Sequence, residues 1–154
     1  MTPVDPEVAG LMHFLDAQRA SVLAIVDGLD EESLRATILP SGWSPLGLIE
    51  HLGDAERFWF QGVATGKPTE RLIADSPTAV VLTYYRDQCA RSNAVLASTP
   101  LSSPPVGEHG LDLEDEVRDL RWIALHMIEE TARHAGHLDV ARELLDGKTG
   151  LGPR

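Results

Sequence analysis

Apolar residues recur at helical spacing in four long stretches of the chain, and turn-forming residues separate them. In the first, from about Asp5 to Leu29, the stripe is Val8, Leu11, Met12, Leu15, Val22, Ile25, Val26 and Leu29, with Pro6 in the first turn and Gly28 near the end. The connection that follows has room for a short helical turn at Asp30–Arg35. The second stretch opens on Ser44 and Pro45, a cap followed by a first-turn proline whose missing N–H is not needed there. Its stripe is Leu48, Ile49, Leu52, Ala55, Trp59 and Val63, and Thr65–Gly66 should end it. The third opens on another such pair, Ser76 and Pro77, carries Val80, Val81, Tyr84, Tyr85, Cys89, Val95 and Leu96, and ends near Ser98. A Pro/Ser/Gly-rich loop from Thr99 to Glu116 follows, with an acidic run at its end that reads as solvated surface. The fourth stretch runs from an Asp119 cap to Leu145, with Gly147 as its stop. With no strand pattern between them, these segments predict an all-α four-helix bundle, one domain spanning residues 1–154.

The fourth helix carries the strongest chemical signal. At about 100° per residue, Ile123, Met127, Glu130, His134, His137, Leu138, Ala141, Leu144 and Leu145 fall on one face, with His126 at its edge. That face is apolar at both ends and polar in the middle. A bundle helix turns such a stripe inward, so Glu130 stands where the pattern asks for leucine. An unpaired buried carboxylate is expensive and needs a strong partner. His134 is one turn on, at the i+4 spacing that lets two side chains grip one metal ion. His51 lies inside the apolar region of the second helix, two turns after its cap, and could face this pair across the bundle.

Other readings stand beside this one. His51 alone could be a hydrogen-bonded core histidine, and Glu130 could pair with Arg57 or Arg133. His137 rivals Glu130 as third ligand, or could orient a ligand by a hydrogen bond. His126 reads as packing or a loop contact, and His13 and His109 as surface or loop residues.

Composition narrows the function. The net charge of -11, with 24 acidic against 13 basic side chains and no Lys/Arg run, argues against nucleic acids and anionic membranes as partners. No apolar run reaches the length of a membrane span, and the acidic N-terminus does not resemble a secretory signal, so the expectation is a cytoplasmic protein with a small-molecule substrate. The single cysteine, Cys89, excludes an intramolecular disulfide and reads as a packed thiol.

The segments GWSPLGLIEHLGDAERFWF and LRWIALHMIEETARHAGHLDVARELLDG together resemble the DinB-like superfamily, nearest the actinobacterial branch of the mycothiol-dependent maleylpyruvate isomerases. The resemblance covers nearly the whole chain, with residues 67–116 carrying least of it. It implies a four-helix bundle of up-down-down-up topology. It also implies a metal held by three residues, one on the second helix and an H-x-x-x-H or, in the mycothiol branch, E-x-x-x-H pair on the fourth. On this chain those positions are His51, Glu130 and His134, which selects Glu130 over His137. The isomerases carry a further C-terminal domain, and this chain is expected to have the bundle alone, so their substrate is not carried over.

A His/His/Glu set leaves an open position on a four-coordinate metal, the catalytic pattern for zinc, and also suits nickel or iron. With mycothiol as cosubstrate, the expected activity is a metal-dependent S-transferase or isomerase, with access to the site near the Gly107–Glu116 loop. A metal-dependent hydrolase is the second reading, with Glu129 or Asp54 as base. The third is a non-enzymatic, metal-stabilised binding protein. A homodimer is the expected assembly.

Overall fold

The computed structural model describes residues 5–110 and 117–150, and every regular element among them is helical. Local chemistry sets most of the boundaries. Helix α1 (Pro6–Val26) starts where the Asp5 carboxylate accepts the Glu7 amide at 2.8 Å. It stops three residues before the expected Leu29, because Asp27 turns into extended backbone and Gly28 takes a φ of 78°. The short α2 (Glu31–Arg35) is capped by Asp30. Helix α3 (Pro45–Glu56) begins with the Ser44 hydroxyl accepting the Gly47 amide at 3.0 Å, and passes directly into a π-helical turn over Arg57–Val63.

The start of α4 (Thr78–Ser98) differs from expectation. Pro77 is the capping position rather than the first helical residue, and the Ser76 hydroxyl donates to the Ile73 carbonyl of the preceding turn instead of capping. Helix α5 (Leu120–Asp146) has the expected ends. The Asp119 carboxylate accepts the Trp122 amide at 2.9 Å, and Gly147 closes the helix in the left-handed region that favours glycine.

Cross-helix contacts fix the directions. Glu7 meets Arg121, and the Ile25 carbonyl meets Arg142, so α1 and α5 run parallel. Gly53 touches Tyr84 and Glu56 approaches Cys89, so α3 and α4 also run parallel. His51 meets Glu130 while Trp59 meets Trp122, so α3 runs against α5. Arg19 reaches Glu56, and α1 runs against α3 through two shared apolar clusters. The result is the up-down-down-up bundle. None of the described helices is long and apolar enough to cross a membrane.

The core is in two parts. Leu15, Phe60, Val63, Leu96, Ile123 and Met127 belong to one cluster, and Val22, Ile49, Leu52, Tyr85 and Leu138 to the other. Between them the stripes carry buried polar residues: Arg19, Glu56, Ser92 and Thr131. Arg19 grips Glu56 with two hydrogen bonds of 2.7 Å, and its other arm holds Asp16 and Asn93. Leu144, expected on the inner face, is exposed. Arg142 binds the carbonyls of Ile25 and Asp27 at the end of α1, so the last turn of α5 runs past its partner.

The loop after α4 is docked where the π turn ends. The amides of Val106 and Gly107 both donate to the Val63 carbonyl at 2.9 Å. A Cβ on Gly107 would stand 2.0 Å from the Gly62 carbonyl oxygen, so only glycine allows this approach. The expected access route near Gly107–Glu116 is therefore corrected for its described part. From His51 to Gly62 the helix rises about 16 Å, so this loop covers the far end of α3. The acidic run over 111–116 lies outside the described residues.

Candidate metal centre

His51 is held by one of the firmest stretches of the fold: Leu48, Ile49 and Leu52 beside it are fully buried. Glu130 and His134 are set between the buried anchors Met127 and Leu138 of α5. Because α3 and α5 run antiparallel, the three side chains meet across the seam. His51 Nε2 is 3.1 Å from Glu130 Oε1, and His134 Nε2 is 3.0 Å from the same oxygen. The His51 and His134 rings meet edge to face with centroids 4.8 Å apart. One donor atom from each residue lies within 4.8 Å of the other two, and this is the trio of potential ligands found among the described residues.

The trio is half open. Side-chain exposure falls from 36 % at His51 through 21 % at Glu130 to 13 % at His134, so the open side is that of His51. There the half-exposed Trp43 indole lies 5.3 Å from the His51 ring. At the closed side, His134 Nδ1 is buried and has no hydrogen-bond partner among the described residues.

Both inner groups are tuned. Burial works to raise the Glu130 carboxyl, but hydrogen bonds from His51 and His134 and the attraction of His134 outweigh it and hold it below its ordinary 4.5. Burial, with repulsion from His51 and His137, pushes the His134 imidazole below its ordinary 6.5 against the pull of Glu130. In metal-free protein the two shifts act in the same direction. The unfolded chain protonates His134 at a higher pH than the fold does, so stability is full above 6.5 and is lost as pH falls from there through the depressed value. The Glu130 contribution is full above 4.5 and is lost as pH falls through its folded value. The melting temperature of chelator-treated protein is therefore expected to fall in two stages on acidification. His134→Gln should remove the upper stage, and an unchanged upper stage in that variant would count against the assignment.

A family model described as Mycothiol-S-transferase matches residues 10–147. The chain belongs to the mycothiol-S-transferase family. The match runs from inside α1 to the C-cap of α5 and so spans every helix and all three residues of the trio. The family is DinB-like, in agreement with the two motif segments. No curated protein is a match to the chain.

Within the family frame the other candidates sort themselves by position. His137 stacks on His134 with centroids 6.2 Å apart and is not part of the converging trio. His126 packs in an aromatic cluster with Trp59 and Trp122. His13 is exposed and His109 half-buried in the docked loop. Cys89 is half-buried beside Glu56, where burial and that carboxylate push its thiol up to about 12, away from the thiolate that reactive cysteines need. Arg57, considered as a partner for Glu130, instead donates to the Thr69 carbonyl.

The buried Arg19–Glu56 pair is the charged cluster that the sequence reading missed. Its signal was present, since Arg19 is four residues after Leu15 and Glu56 four after Leu52, both inside apolar stripes.

Proposed function

We propose that the chain holds a divalent metal ion at His51, Glu130 and His134 and uses it to transfer a low-molecular-weight thiol of the mycothiol type to an electrophile. The observation that carries this reading is the convergence of three donors from two antiparallel helices, open on one side, in a chain of this family. Two imidazole nitrogens and a carboxylate oxygen suit zinc, and nickel and iron accept the same donors. A metal bound there would supply a Lewis acid that favours the thiolate over the thiol.

The protein's own residues do the rest. Glu130 brings the one negative charge of the set, and in metal-free protein its Oε1 draws both imidazole Nε2 atoms to within 3.1 Å. The Trp43 indole, 5.3 Å from the His51 ring, offers an apolar surface on the open side. The hydrolytic reading gains no support from either carboxylate considered as its base. Asp54 is engaged by Tyr84 at 2.8 Å and by Arg71, and Glu129 is exposed.

Protein purified without chelators is expected to carry about one metal ion per chain, and His51→Ala to carry none. The metal-loaded wild type should consume an alkylating electrophile only when mycothiol is present. Full metal content in His51→Ala would sink the ligand assignment. Product release from an ester without thiol would replace the thiol role by hydrolysis.

A further inference from the structure

Trp122, His126, Glu130 and His134 follow one another at i+4 spacing along α5, and all four are half-buried. Residues at this spacing share one face of the helix, a turn apart, and His134 approaches Glu130 to 3.0 Å. Across from this row are His51 on α3, against Glu130, and Trp59 in the π turn, against Trp122 and His126, with the small Ala55 midway between them in sequence. The seam between the helices thus has the trio at one end and an aromatic cluster about one turn away.

His126 is the polar member of that cluster. Its ring is stacked on Trp122, with centroids 5.1 Å apart and planes 11° from parallel, and meets Trp59 at 4.7 Å, edge to face. The two indoles fix the plane of the imidazole without using its nitrogens. Among the described residues no hydrogen bond engages either nitrogen, and neither is an orphaned buried atom. An imidazole stacked against two indoles, with neither nitrogen bonded to a described residue and a turn from the converging donors, is more than packing requires. A phenylalanine would pack as well.

We infer that His126 is the proton-transfer residue of the groove, resting on the function proposed above. An imidazole nitrogen with no other partner can accept a proton from a neighbouring group and return it. On thiol binding the S–H bond breaks, the electron pair stays on sulfur, and the proton passes to a His126 nitrogen, directly or through one water. The sulfur then bonds to the electrophilic carbon. The pair from the bond broken at that carbon goes to the leaving atom or to the adjacent unsaturated atom. His126 returns its proton to the atom that receives that pair, so the residue ends as it began and no other reactant is consumed.

The test compares zinc-loaded wild type with His126→Phe, which keeps a ring between the indoles, and with His126→Gln. Mycothiol binding is followed by titration calorimetry in two buffers of different ionisation enthalpy, which counts the protons released to solvent. His126→Phe is expected to bind the thiol and zinc as wild type does, yet to release about one more proton per thiol. Its turnover should fall about a hundredfold or more, and His126→Gln should behave likewise. Equal proton release and turnover in wild type and His126→Phe would overturn the role of His126 and leave the proposed function standing. Failure of wild type to bind mycothiol would overturn both.

Discussion

Glu56→Ala is expected to destabilise the fold by about 3–5 kcal/mol, the cost of removing one partner from a buried ion pair. That is a large share of the roughly 5–15 kcal/mol that holds a domain of this size together. Glu56 is fully buried and Arg19 is 3 % exposed, so the substitution would strand a guanidinium between the two apolar clusters. Asp16 and Asn93 hold only one arm of Arg19 and cannot replace the two-pronged contact. Urea unfolding measures the loss directly. The double variant Glu56→Leu with Arg19→Met should recover much of it, because removing both charges leaves nothing unpaired. A loss below about 1 kcal/mol in Glu56→Ala would mean that water or other groups solvate the pair. The same pair sets the axial position of α1 against α3.

The second large effect is expected at Glu130. Glu130→Leu restores the residue type that the α5 stripe asks for and removes the one anionic donor of the trio. The metal-free variant should be about as stable as wild type, since Leu gains burial where the carboxylate gave up hydrogen bonds to His51 and His134. Its response to metal should disappear. Zinc at a hundred times its dissociation constant stabilises a folded site by about 2.7 kcal/mol, and this increment should be present in wild type and absent in Glu130→Leu. Thermal melts with and without zinc read both quantities. A full zinc-induced shift in Glu130→Leu would show that the carboxylate is not a ligand and would return His137 to consideration.

Helix boundaries were legible wherever a side chain makes them. Ser44, Asp119 and Gly147 each act at the position the sequence marks. Ser76 and Pro77 misled because a Ser-Pro pair can close the turn before a helix as well as open the helix after it. The misplaced Glu130 pointed to His134 and His51 because i+4 spacing is a local property and the facing helix was named by its own stripe. Arg19 and Glu56 broke their stripes in the same manner, but they are 37 positions apart on two helices, and no spacing rule connects them. Leu144 faces solvent for a reason invisible in its own helix, namely that α1 ends first. The docking of Gly107 on Gly62 was hidden because a backbone approach leaves only two glycines in the sequence to announce it.

The π turn over Arg57–Val63 has a consequence for how the protein can vary. A π turn accommodates one residue more than an α-helical turn, so it works as a slack link in an otherwise stiff rod. Upstream of it the phase of α3 is set by His51 and the residues it meets. Downstream, the phase is set by the docked loop at Val63 and by Trp59 against α5. The two halves can therefore be adjusted separately. A gain or loss of one residue within Arg57–Val63 would rotate the aromatic end of the seam while leaving the donor end in register. Relatives that differ in length at this point would then keep the converging trio and present a different aromatic wall beside it.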